Sequence, residues 1–361
     1  MAGMLYRPDM DGVRERMTTF WNGGDLGRPA MHVSAPTDER LEDIPVMEMP
    51  ADVTSPNYTT KSFEWRVNSG QRCGVGRKFF GEQVPYTSPD LAPNCLALFL
   101  GCEGVEGERT VWCEPFVHNP DTDTPEFVFN EDNFYWDFSK RLCLEYKRLG
   151  EGKFFQQFPD LIEGLDTLSA LRGTQELLFD LIERPEWVHD CLTQISKVYF
   201  EYYDRYYEMM KDETGGSIFW AWAPGRMAKF QCDFSAMISP DMFGEFMVPV
   251  LNDLCNGTDY SMYHWDGPDA IPHLDHLLSI ENLDMIQWTP GAGASASCDP
   301  KWWPLFHRTF EAGKKVLIGC RTIEQLQALK TEFGSKSKGF LLEFSADDEA
   351  QALEALKLME C

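Results

Sequence analysis

Five apolar runs punctuate the second half of the chain: "GSIFWAW" (216–222), "DYSMYHW" (259–265), "LDMIQW" (283–288), "KKVLIGC" (314–320) and "GFLLEF" (339–344). Each gives way to polar residues, glycine or proline. Runs that are apolar on both faces suit parallel strands covered by helices, so these five predict strands. Between them the apolar spacing lengthens to that of a helix. In "ISPDMFGEFMVPVLNDL", Ser239 is a good N-cap and Pro240 fits the first turn; Phe243, Phe246, Met247, Val250, Leu251 and Leu254 then form one stripe. Pro249 inside that stripe predicts a kink or a break. "TIEQLQALKTEFG" opens on a Thr322–Gln325 capping box and stops at Gly334. Residues 184–210 predict a long helix with Val188, Cys191, Ile195, Val198, Tyr202, Tyr206 and Met209 on one face.

The first half is less regular. "PAMHVSAP" (29–36) and "GKFFQQFPDL" (152–161) read as strands, and "RKFFGEQVPYTSPDL" (77–91) as a strand running into a loop. Strand–helix alternation implies a parallel sheet with right-handed crossovers. Five such units in the second half and three in the first predict a closed (β/α)8 TIM barrel, an α/β fold, with residues 1–361 as one domain. The stretch from about 37 to 150 is too long for simple units and predicts a β-rich insertion.

Charge narrows the partners. The chain carries 32 basic and 58 acidic residues, a formal charge of −26. Nucleic-acid phosphates and anionic membranes both need a basic face, so neither is an expected partner. The 11 cysteines include no C-x-x-C pair, which removes zinc-ribbon and thioredoxin motifs. The N-terminal "MAGMLYRPDMDGVRERM" has no apolar core of a secretory leader, and no run approaches a membrane span. A cytoplasmic protein with reduced thiols is expected.

In a barrel, function gathers where strands end. Alternation along 259–266 puts Met262, His264 and Asp266 on one face, with Tyr263 and Trp265 on the other. Glu343 and Ser345 end the last strand and Cys320 the one before it. Glu82 ends the proposed second strand. Trp220 and Trp222 end the strand at 216–222, and "APGRMAKFQCDFS" follows with Arg226, Lys229 and Asp233. Histidine, cysteine and carboxylate are the ligand types of a zinc ion with one open position, which makes His264, Cys320 and Glu343 a candidate metal set. Each residue also has a structural reading: a hydrogen-bonded core histidine, a turn at Asp266-Gly267-Pro268, or packing for Cys320 and the tryptophans. "PGAG" (290–293) offers backbone amides to an anion or is a plain glycine turn. No G-x-S-x-G elbow, no phosphate loop and no H-E-x-x-H is present.

"SPDMFGEFMVPVL", a strand ending "YHWDG", then "VLIGC" together resemble the uroporphyrinogen decarboxylase superfamily, and "LRGTQELLFDLIERPEWV" resembles the helical segment that precedes them there. The resemblance runs from about residue 28 to the C-terminus and implies the barrel fold. The true decarboxylases carry a Q-A-G-R motif where this chain has "VSAPTDER", and "LLEFSADD" lacks their final histidine; Glu82 stands near the place of their aspartate. The corrinoid-dependent methyltransferases of the superfamily bind zinc through H-x-C and a second cysteine. Here His264 matches the histidine, Asp266 replaces the first cysteine and Glu343 stands near the second. A histidine–carboxylate site is harder than a thiolate site and suits an oxygen ligand. The resemblance therefore implies metal-assisted transfer of a methyl group from a small methylated substrate, methoxylated compounds included, to a corrinoid (cobalamin) carried by a separate protein. His264, Asp266 and Glu82 would be catalytic, with Trp220, Trp222, Arg226 and Tyr263 around the substrate. The alternatives are a metal-free decarboxylase or lyase for a small acid, gripped by Arg226 or Lys229, and a binding protein on the same scaffold.

Overall fold

The computed structural model describes residues 3–123 and 125–360. Its strands in chain order are β1 (Ala30–Pro36), β2 (Arg77–Gly81), β3 (Tyr86–Thr87), β4 (Glu103–Glu106), β5 (Val111–Glu114), β6 (Phe155–Gln156), β7 (Ser217–Phe219), β8 (Ala221–Ala223), β9 (Met227–Gln231), β10 (Tyr260–Asp266), β11 (Met285–Thr289), β12 (Lys315–Cys320) and β13 (Phe340–Ser345). Seven strands form one mostly parallel sheet in the order β2-β1-β13-β12-β11-β10-β9. Every neighbouring pair from β1 through β9 in that order is parallel, and only the edge strand β2 runs antiparallel, against β1. Because the parallel strands share one direction, Gln231, Asp266, Thr289, Cys320 and Ser345 all emerge at one end of the sheet.

Helices join these strands and cover them, so the strands are buried through most of their length and continuous with one core. The helix Pro240–Asn256 starts at Ser239, whose side chain accepts the Met242 N–H, and it continues through Pro249. The predicted break does not occur: Phe243, Phe246, Met247, Val250, Leu251 and Leu254 are all buried, and their packing outweighs the missing hydrogen bond. Thr322 and Gln325 form the reciprocal capping box of Ile323–Phe333. The long helix Pro185–Met210 buries the predicted face, with Met210 rather than Met209 as its last core residue. Among the described residues, no helix is long and apolar enough to cross a membrane.

Three expectations need correction. The apolar run 216–222 is two short antiparallel strands, β7 and β8, because the chain reverses at Trp220 with φ +56°. The next parallel strand, β9, lies in what reads as a loop, since Lys229 and Gln231 disguise a segment buried at every position. The 37–150 stretch is not β-rich: apart from β2, β3 and the β4–β5 hairpin, it holds helices Phe63–Gln71, Cys95–Phe99 and Phe134–Gly150 joined by loops.

Candidate metal centre

β10 alternates as its sequence requires. Met262, Tyr263 and Trp265 are packed away, while His264 and Asp266 are half-buried and leave the strand on one face. Parallel register extends that face sideways. His264 pairs with Gln231 on β9 and with Gln287 on β11, so Gln231, His264 and Gln287 form a polar row across three strands.

Asp233 lies two residues beyond Gln231, at the start of a 3-10 turn. The Asp166 carboxylate fixes that turn by accepting the backbone N–H groups of Asp233 and Phe234, each at 2.8 Å. Asp233, His264 and Asp266 each bring one ligand atom to a common point, all within 4.8 Å of one another. Asp266 Oδ1 is buried and has no hydrogen-bond partner in the chain. The Gln287 carbonyl oxygen faces His264 Nδ1, and its amide donates to Thr289 Oγ1 at 2.8 Å. In this arrangement Nδ1 donates to Gln287, and Nε2 keeps the lone pair a cation requires. Trp220 stands edge-on to His264, ring centroids 5.5 Å apart at 77°.

Electrostatics favour the ligating form of the imidazole. Burial, then the Lys229 ammonium, holds His264 below the usual imidazole range. Burial raises Asp266, with Asp233 adding to the rise and His264 opposing it. Burial raises Asp233 as well. The Lys229 side chain is wholly buried, paired with Asp160 and donating to Gln231 Oε1 at 2.6 Å. Around it lie more carboxyl groups than cations. Burial pushes Asp90 up to about 6, aided by Asp160, and Asp166 up to about 6, aided by Asp233. A divalent ion at Asp233–His264–Asp266 would relieve this excess of negative charge. One nitrogen and two carboxylate oxygens fit a zinc ion with an open fourth position.

The structure separates the sequence candidates. His264, Asp266 and Trp220 meet at the centre. Cys320 does not join the metal set; it is buried against Cys298. Glu343 does not join it either. Its side chain opens into a cavity yet is walled by protein, and loss of solvation raises its carboxyl. Glu82 is at the wrong end: β2 runs antiparallel, so Glu82 sits beside Met31, near the start of β1. There it accepts from Arg16 and Arg28, each at 2.7 Å, and from the Met31 N–H. Burial works against its charge, but the Arg28 guanidinium, the Met31 N–H and Arg16 together hold it below the usual carboxylate range. Arg226 precedes β9, again at the far end, ion-paired to Asp204 at 2.6 Å and stacked over Tyr203 and Tyr207. Trp222 is core, its indole donating to Asp212 at 2.9 Å, and Tyr263 is buried on the back of β10. None of the three borders the Asp233–His264–Asp266 centre.

Gln231, Gln287, Asp160 and Asp166 are members that the sequence did not single out, and Asp233 becomes a candidate ligand. One signal was available. In "MAKFQCD" the residues Lys229, Gln231 and Asp233 recur every second position, the period of one strand face.

A cavity of about 690 Å3 adjoins the centre, bordered by Gln287, the loop from Pro290 to Ser297, Cys320, Arg321 and Glu343. Comparison with protein-family models returns no match, and comparison with curated proteins returns none.

Proposed function

We propose that the chain is a metal-assisted methyltransferase on a (β/α)8 barrel of the uroporphyrinogen decarboxylase kind. It moves a methyl group from a small methylated substrate to the corrinoid of a separate protein. The observation that carries this reading is the convergence of Asp233, His264 and Asp266 within 4.8 Å at the strand ends, with Asp266 Oδ1 unpartnered. Barrel closure is supported by links between the sheet's two edges. β3 pairs with β6 in parallel, Gln157 N–H donates to Thr87 O at 2.9 Å, and Phe158 N–H donates to Ile218 O at 3.0 Å. Ser217 Oγ accepts the Met227 N–H at 2.9 Å, tying β7 to β9.

Zinc held there would polarise the oxygen that bears the methyl group and make it a better leaving group. The chain's own residues do the rest. Gln287 keeps His264 in the tautomer that presents Nε2. Trp220 covers the imidazole and excludes water from one side. Lys229 keeps a positive charge close to where negative charge develops on the demethylated oxygen. A cluster of one histidine with the carboxylates Asp266 and Asp233, and no thiolate, suits an oxygen donor better than a thiol acceptor.

Two measurements test the reading together. The protein, equilibrated with zinc and desalted, should retain about one ion per chain. Mixed with a reduced corrinoid protein and a panel of methoxy, methylamino and methylthio compounds, it should change the corrinoid spectrum with at least one methoxy compound. Failure to retain zinc, or no spectral change with any compound, overturns it.

A further inference from the structure

The cavity beside the centre has a second polar wall. Loop 290–298 leaves β11 and turns through Gly291 and Gly293, at φ +80° and +79°. Ser297 Oγ pins the loop to the end of β12, accepting the Gly319 N–H and donating to Gly319 O, both at 3.1 Å. What this wall offers is unpaired donors. The Ser295 hydroxyl is buried without a partner. The backbone N–H groups of Ser295, Ala296 and Ser297 meet no acceptor among the described residues. Arg321, the first residue after β12, borders the same cavity, is exposed and makes no ion pair among the described residues. In a chain of formal charge −26, such a gathering of donors without carboxylate partners is a local exception. Buried orphan donors cost free energy unless a ligand satisfies them.

The geometry points to an anion subsite built by Ser295, the 295–297 amides and Arg321, which makes the substrate a small methylated carboxylic acid. This rests on the methyl-transfer reading for the methyl group alone. The two sites are contiguous. Gln287, which holds His264, also borders the cavity, and a Cβ added at Gly291 would lie 3.8 Å from Asp266 Oδ1. One molecule can thus extend from the Asp233–His264–Asp266 cluster, where a bound cation would meet its ether oxygen, to a carboxylate at Arg321. A carboxylate accepts several hydrogen bonds, which matches a guanidinium beside hydroxyl and amide donors. Glu343 borders the cavity too. Loss of solvation raises its carboxyl.

Calorimetric titration with benzoate, 4-methoxybenzoate and 4-methoxybenzyl alcohol tests the subsite. Both acids should bind the zinc-loaded protein. Arg321→Gln should weaken them about 10-fold or more, Arg321→Lys less, and neither change should affect the alcohol. His264→Ala should still bind benzoate, because the subsite does not need the metal. If benzoate binds wild type and Arg321→Gln alike, or the alcohol binds as well as the acids, the subsite is overturned. If the acids bind through Arg321 but no methylated compound serves as donor, the subsite stands and the methyl-transfer reading falls.

Discussion

Gln287 presents its side-chain oxygen to Nδ1 of His264 from the adjacent strand, one register position across. This contact decides which ring nitrogen is free, and so whether the histidine can ligate at all. Gln287→Leu should lower zinc affinity roughly 10- to 100-fold while the fold is kept. Competition with a colorimetric chelator measures it; unchanged affinity would mean that His264 is oriented by something else.

The three ligands should act as a unit. His264→Ala, Asp266→Asn and Asp233→Asn should each abolish stoichiometric zinc, with circular dichroism unchanged. Cys320→Ser and Glu343→Gln should retain it, since neither residue belongs to the ligand cluster. Elemental analysis of desalted protein separates the two groups.

Zinc affinity should fall with acid in a specific way. Ligation needs ionised carboxylates and a neutral imidazole. Asp233 and Asp266 sit above the usual carboxylate range, so they take up protons, and release zinc, at higher pH than ordinary aspartates would. His264 sits below the usual imidazole range and stays neutral until more acid conditions, so it does not impose a loss at about pH 6.5. Retention measured from pH 8 down to 4 should follow the carboxylates. A midpoint near that of a free imidazole that moved with histidine substitutions alone would contradict this.

Glu82 has a structural part to play. Glu82→Gln removes the shared partner of Arg16 and Arg28 and should cost about 3 kcal/mol of stability, as breaking a buried ion pair does. Its depressed carboxyl contributes stability that is present above the unfolded-state value and lost as pH falls through the folded-state value. Wild type should therefore lose stability in acid more steeply than Glu82→Gln. Zinc content per folded chain should not change in the variant; a loss of zinc would return Glu82 to the site.

Trp220 combines a ring contact with a left-handed backbone, φ +56°. Trp220→Ala and Trp220→Gly both lose the ring, but only glycine adopts that backbone freely. The glycine variant should be the more stable by about 1 kcal/mol in denaturant melts. An alanine variant of equal stability would show that the β7–β8 turn relaxes.

Some of this was legible in the residues alone. Local rules gave β10 and its face, because alternation depends only on neighbours along the chain: His264 and Asp266 leave together, Tyr263 and Trp265 go inward. The same holds for the capping box at Thr322 and the stripe on Pro185–Met210. The mixed α/β organisation, with a mostly parallel sheet, also follows from the alternation of apolar runs with helical spacing.

Tertiary structure decided everything that depends on which strand lies beside which. Strand direction moved Glu82 and Arg226 to the far end of the sheet, although both stood near strand ends in the sequence. Register brought Gln287 to His264 from 23 residues away. A buried Lys229 hid the strand that supplies Gln231 and leads to Asp233, because burial of an ammonium becomes affordable only when Asp160 folds against it. Periodicity along a chain reports which face a side chain takes. It carries no information on what faces it, and a metal centre is made of groups that face one another.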